Sequence, residues 1–69
     1  FAIMPAQEWI RWQMAPVEVY DHYVVVLTPH WRDGFRHGEV EKRIGRRVRP
    51  VPLSVTAEQV EELIRQANP

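Results

Sequence analysis

The chain has 69 residues, nine basic and nine acidic side chains, and no cysteine. This length excludes more than one domain, since a chain of this size buries only about 60% of the surface that it exposes when unfolded. The lack of cysteine excludes disulfides and thiolate metal sites. We therefore expect residues 1–69 to form a single small domain with a thin core. Because such a core gives little stability, a homo-oligomer or a larger complex is a natural way to stabilise it.

The charges are distributed unevenly along the chain. Residues 32–49 carry seven lysines and arginines against three acids, whereas residues 1–31 and residues 51–69 each have a net charge of −2. A positive middle segment between negative flanks predicts a local surface for an acidic macromolecule, because the neutral whole chain generates little long-range attraction. The longest apolar run, Tyr23–Leu27, is far shorter than the roughly 20 residues that span a bilayer. We expect no membrane association.

The start of the chain bears on its processing and location. The first residue is Phe1 rather than methionine, which predicts a processed chain or a fragment of a longer protein. Phe1–Met4 is too short for a signal peptide and lacks its basic residues. The lack of cysteine is typical of a reducing compartment, so the sequence favours the cytoplasm without identifying the location.

The first predicted element begins at Pro5, which suits the first position of a helix. Ile10, Trp12 and Met14, however, alternate with polar residues at the period of a strand. The pattern alone is compatible with both a helix and a strand, and we prefer the helix. In either case Ala15-Pro16 is expected to interrupt the element.

Val17–Thr28 is the clearest strand region, because it is rich in valine and tyrosine. Val17 and Val19 alternate at the period of a half-buried strand, whereas Tyr23–Leu27 is apolar on both faces. This change predicts an outer strand that leads through Asp21-His22 into a central strand. A central strand needs a second layer to cover it.

A loop is predicted at Pro29–Gly38, where Asp33-Gly34 and Gly38 are turn signals. Binding and catalytic residues are found on loops more often than in cores. This loop is therefore the first place to look for a functional site.

The next segment, Glu39–Val48, fits two structures. Val40, Ile44 and Val48 recur at helical spacing. Gly45 lowers the stability of a helix interior by about 1 kcal/mol relative to alanine, and it would suit the turn of a hairpin. A helix and a hairpin are both consistent with this segment.

The end of the chain is predicted with less ambiguity. Two prolines keep Arg49–Val55 extended and make an interior strand unlikely there. Thr56 and Gln59 form a capping box before a helix at Ala57–Ala67. Its predicted buried stripe consists of Val60, Leu63, Ile64 and Ala67. The predicted fold is therefore a small α+β domain, with a short sheet around residues 17–28 and this C-terminal helix packed on it.

No catalytic or metal site is predicted. His22, His30 and His37 lack the spacing of a zinc site, and the sequence has no nucleotide-binding or nucleophile motif. A domain of this size rarely encloses a substrate pocket of several hundred Å³. We expect neither enzymatic activity nor a metal or other cofactor.

The basic segment is the strongest positive signal. Arginine binds carboxylates and phosphates in a bidentate manner, and tryptophan and arginine are enriched at interface hot spots. Trp31 lies in the predicted loop and is the tryptophan expected to be exposed. The predicted partner-binding residues are Trp31, Arg32, Arg36, Arg43, Arg46 and Arg47.

Two kinds of partner fit this set. The first hypothesis is a non-catalytic protein-binding module, such as a subunit, an adaptor or an inhibitor-like small protein, that docks an acidic surface through the Trp/Arg-rich loop and the basic segment. The alternative is a small nucleic-acid-binding domain that uses the same basic segment, although such domains usually have a clear positive net charge. The neutral composition favours the protein partner.

Overall fold

Three helices and three strands occur in residues 3–67, the part of the chain that the computed structural model describes. In chain order they are α1 (Ala6–Trp12), β1 (Ala15–Val19), β2 (Tyr23–Leu27), α2 (Gly34–Ile44), β3 (Arg47–Pro50) and α3 (Ala57–Ala67). The predicted α+β class is confirmed, with α3 in contact with β1 and α1. The helix that we preferred after Pro5 is also present, with Pro5 as its N-cap residue. None of these helices is long and apolar enough to cross a bilayer.

The sheet has the strand order β1-β2-β3, with β1 antiparallel and β3 parallel to the central β2. The prediction of an outer strand that leads into a central strand is therefore confirmed. Ala15-Pro16 was expected to interrupt the first element, and α1 does end before these residues, which form the start of β1. Pro16 is accommodated because β1 is an edge strand and its register shifts between Pro16 and Glu18, a setting in which a missing N–H is tolerated.

On the outer edge of β3, the backbone N–H groups either have a hydrogen-bond acceptor or are absent because the residue is proline. The N–H groups of Arg47 and Val51 donate inward, to carbonyls of β2 and of the turn before it. Between them, the outward N–H of Val48 donates to a carboxylate oxygen of Glu41 at 2.8 Å, and Pro50 has no N–H. This edge is therefore closed to a further strand, and the proline-containing segment is extended but not interior, as predicted.

Residues 34–38 belong to α2, so the predicted loop Pro29–Gly38 is wrong in its second half. Asp33 caps the helix, because its side chain accepts the N–H of Arg36 at 3.1 Å. Aspartate is favoured both in turns and at helix N-caps, and the pattern alone does not separate the two.

The segment Glu39–Val48 contains the end of α2 and the start of β3. The helix ends at Ile44, and Gly45 follows with a left-handed φ of 70°, which is typical of a helix C-cap. Val40 is buried on α2 and Val48 is buried on β3. The helical alternative is thus correct up to Ile44, and no hairpin forms here.

All three helices pack on one face of the sheet. The buried valines of β2 and β3 point to this face and form one core with side chains from each helix. The core consists of Met4, Trp9, Met14, Ala15, Val24, Val26, Val40, Val48, Val60 and Ile64.

The C-terminal helix α3 begins as predicted but buries a narrower stripe. Thr56 Oγ1 accepts the N–H of Gln59 at 3.0 Å, and the Gln59 side chain accepts the N–H of Thr56 at 2.9 Å. Val60 and Ile64 are buried, but Leu63, predicted in the stripe, is 42% exposed, and Ala67, also predicted in the stripe, is exposed as well. The reason is that α3 packs against the edge strand β1, so no described element covers the side of the helix beyond that edge.

Candidate binding surfaces

The predicted partner-binding residues form two groups at the two ends of α2. Trp31, Arg32 and Arg36 lie in the turn before the helix and in its first turn, and Arg43, Arg46 and Arg47 lie at and after its last turn. Because an α-helix rises about 1.5 Å per residue, α2 is roughly 16 Å long, and Arg36 and Arg43, the nearest members of the two groups, lie about 10 Å apart along its axis. The six residues therefore do not form one cluster.

The start of α2 exposes an aromatic side chain that is absent from the predicted set. Phe35 lies in the first turn and is 79% exposed. Three residues earlier, the guanidinium of Arg32 lies over the ring of Trp31, with 4.6 Å between Cζ and the ring centroid. Trp31 itself is partly buried rather than exposed as expected. We call Trp31, Arg32 and Phe35 the turn surface.

Two of the predicted arginines hold α1 against α2. Arg36 Nη1 donates to the Trp12 carbonyl at 3.1 Å, and Arg36 Nε lies 3.5 Å from a carboxylate oxygen of Asp33. Arg43 Nη2 lies 3.5 Å from a carboxylate oxygen of Glu8. Both side chains are engaged inside the domain, and this leaves them fewer free donors for a partner.

Asp33 is the acidic group at the start of α2. Its Oδ1 accepts the N–H of Arg36, and its other oxygen faces the Arg36 guanidinium. The backbone hydrogen bond, the side chain and charge of Arg36 and the charge of His37 lower the pKa of Asp33, whereas burial opposes them. Asp33 therefore stays ionised and offsets the charge of Arg36. Arg32, which forms no ion pair within residues 3–67, keeps the turn surface positive.

The second group continues onto the open face of the sheet. Arg46 and Arg47 lie at the start of β3, and neither forms an ion pair in the described part of the chain. Arg49, on the same strand, places its Cζ 4.7 Å from the centroid of the Tyr23 ring. The Tyr23 ring stacks on Tyr20, with 4.6 Å between centroids and 25° between planes. We call Tyr20, Tyr23 and Arg49 the stacked ladder.

Tyr20, at one end of the stacked ladder, forms a hydrogen bond with Glu18. The hydroxyl of Tyr20 donates to the carboxylate of Glu18. This bond, together with the negative charge of Glu18, raises the pKa of Tyr20 above its ordinary value. The hydroxyl therefore stays protonated at neutral pH and can donate to Glu18.

Two of the three histidines make structural hydrogen bonds. His30 Nε2 bonds to the side-chain oxygen of Gln13, the residue that ends α1 with a left-handed φ of 58°. His37 Nε2 donates to the His30 carbonyl at 3.1 Å. These bonds tie the turn before α2 to α1. Within the described ranges, no group of three or more potential metal ligands comes together.

No protein-family model, no curated protein and no solved structure matches this chain significantly. Any function has to be inferred from the two surfaces themselves. Their chemistry is aromatic stacking together with charge-assisted hydrogen bonding by arginine.

Proposed function

We propose that this domain is a non-catalytic protein-binding module that docks an acidic protein surface. The docking site is the turn surface, with the basic segment at the far end of α2 as a second contact. The proposal rests mainly on Phe35, which is 79% exposed and follows the stacked Trp31–Arg32 pair by three residues in the sequence. Single exposed apolar residues are common on monomers, but an exposed aromatic next to tryptophan and arginine has the composition of an interface hot spot.

Phe35 acts as the anchor in this proposal. Burying an exposed phenylalanine side chain in a partner stabilises a complex by about 1.5–3 kcal/mol. Arg32 is already stacked on Trp31, so less side-chain freedom is lost when its guanidinium meets a carboxylate. Aromatic burial supplies most of the affinity, and the positive charge selects an acidic partner.

The predicted arginines have two different roles in this proposal. Arg46 and Arg47 have no ion-pair partner among the described residues and provide a second positive contact roughly 16 Å from the turn surface, the length of α2. Arg36 donates to the Trp12 carbonyl, and Arg43, whose side chain is 57% exposed, pairs with Glu8, so both contribute mainly by fixing α2 against α1. The partner that fits is elongated, with an apolar pocket at one end and carboxylates along its length.

Selection of peptides that bind the immobilised domain tests the proposal. We expect the selected peptides to combine acidic residues with at least one large apolar residue. Fluorescence anisotropy should then show that Phe35→Ala weakens binding by about 10-fold, which corresponds to about 1.4 kcal/mol, and that Arg32→Ala also weakens it.

Leu53→Ala is the matched control, because Leu53 is another exposed apolar side chain, at 55%, in the segment between β3 and α3. This variant should bind the peptides as tightly as the parent. Selected peptides without acidic residues, or equal binding by Phe35→Ala and Leu53→Ala, would contradict the proposal.

A nucleic-acid-binding module is the second candidate. The observation that favours it lies on a different surface, the open face of the sheet.

A further inference from the structure

The face of the sheet that points away from the helices combines aromatic and guanidinium groups. Side chains alternate along a strand, so Tyr23, Arg47 and Arg49 point away from the buried valines of the core. The register places Tyr23 beside Arg47 on the neighbouring strand. Tyr20, which directly follows β1, stacks on Tyr23 from the other side. All three strands therefore contribute to one open surface.

The distances between the groups of the stacked ladder match the distance between neighbouring strands of the sheet. Neighbouring strands lie about 4.7–4.9 Å apart, the Tyr20 and Tyr23 centroids are 4.6 Å apart, and Arg49 Cζ is 4.7 Å from the Tyr23 ring. Because β2 lies between β1 and β3, Tyr23 is held between Tyr20 and Arg49. Both faces of Tyr23 are thus occupied, and the open ends of the ladder are the outer faces of Tyr20 and Arg49.

We infer that this face is a stacking site for single-stranded nucleic acid, separate from the turn surface. A base extends the ladder by stacking on the outer face of Tyr20, which is 44% exposed, or on the guanidinium plane of Arg49. Every base has a π face, so the site tolerates different sequences. The bases of a duplex are already stacked on their neighbours, and the site therefore selects single strands.

The charges beside the ladder determine where the phosphate backbone lies. Arg46 and Arg47 form no ion pair within residues 3–67 and lie on the β3 side. On the opposite side, the carboxylate of Glu18 accepts the Tyr20 hydroxyl. Phosphates therefore bind on the β3 side, and the bases reach across the ladder. An acidic protein offers the same charge, but carboxylates gain nothing from open stacking faces.

Fluorescence anisotropy with a labelled single-stranded oligonucleotide and its duplex, over a series of salt concentrations, tests this inference. Two or three neutralised phosphates give a slope of log K against log salt of about −1.4 to −2.1 for a single strand. We expect binding with this slope, and several-fold weaker binding of the duplex.

Two variants separate stacking from charge. Arg49→Lys keeps the charge but removes the planar guanidinium, and Tyr20→Leu keeps an apolar side chain but removes the ring. Each should weaken single-strand binding by about 10-fold, the loss of one stacked base. Arg65→Lys, on the exposed side of α3, and Phe35→Ala, on the turn surface, are the controls and should bind like the parent.

Any of four results would overturn the inference: no binding at low salt, equal affinity for the duplex, unchanged affinity in both ladder variants, or weaker binding of the selected acidic peptides by Tyr20→Leu. The last result would assign the face to an acidic protein. Tyr20→Leu should leave binding of the peptides selected on the turn surface unchanged. Failure of this inference is therefore distinguishable from failure of the proposed function.

Discussion

Glu41 is the residue on which the closed edge of β3 depends, since its carboxylate accepts the outward N–H of Val48 at 2.8 Å. Replacement by alanine leaves this partly buried N–H without its acceptor. We expect Glu41→Ala to lower the free energy of unfolding by about 1–3 kcal/mol, the usual effect of an unsatisfied buried donor. Urea denaturation followed by circular dichroism measures the change.

Glu39→Ala is the matched control for this prediction. Glu39 lies on the same helix and pairs with Lys42 at 3.4 Å on the surface, and exposed pairs of this kind contribute at most about 1 kcal/mol. Equal losses in the two variants would mean that the bond between Glu41 and Val48 does not hold β3 to α2.

Asp33 makes the stability of the domain depend on pH. Because the pKa of Asp33 is lowered in the folded protein, its charge stabilises the fold above the ordinary pKa of 3.8, and this contribution is lost as the pH falls through the folded-state pKa. Asp33→Asn keeps a capping side chain but has no charge. Thermal melts should show a lower Tm than the parent for Asp33→Asn at neutral pH, and no difference in strong acid.

A difference in Tm that stays constant from neutral to acidic pH would exclude a role for the charge of Asp33. The difference would then come from the geometry of the cap and not from its charge, because the neutral side chain of asparagine can also accept the Arg36 N–H.

At the scale of the element, α3 offers two neighbouring positions that differ in burial. Ile64 is 1% exposed and Leu63 is 42% exposed. Ile64→Ala leaves a cavity in the core and should lower the free energy of unfolding by about 2–5 kcal/mol. Leu63→Ala should lower it by at most about 1 kcal/mol, because much of that side chain is already in water.

Thermal and urea denaturation of the two variants give the comparison directly. A domain this small has only a few kcal/mol of stability, so Ile64→Ala should be largely unfolded or melt far below the parent, whereas Leu63→Ala should melt close to it. Equal destabilisation would mean that α3 packs through a wider stripe than the structure shows.

Elements with a strong local signal were predictable from the sequence, and those decided by packing were not. The α3 helix followed from its capping box and the β1–β2 pair from the valine pattern. The start of α2 was missed because Asp33-Gly34 is equally compatible with a turn. With 3.6 residues per turn, Phe35 lies about 140° around α2 from the buried Val40, so its exposure follows only once the helix is known to include it.

At the scale of the whole molecule, the arginines of the one basic segment lie in three separate places. Arg36 and Arg43 connect two helices, Arg32 belongs to the turn surface, and Arg46 and Arg47 lie beside the stacked ladder. The residue types at the candidate site were predictable from composition. Their separation along α2 and the exposure of Phe35 depended on where that helix begins, and the packing of Arg49 on Tyr23 is a contact between residues distant in sequence.

The asymmetry between the two edges of the sheet limits how copies of this domain can assemble through their strands. Open-ended growth by edge pairing needs a free strand on both sides of each molecule. Glu41 and Pro50 close the β3 side, which leaves β1, where Val17 and Val19 are exposed. If two copies pair through β1, both free edges are used in the same contact. Strand pairing through the described sheet would then stop at a symmetric pair instead of continuing into a fibre.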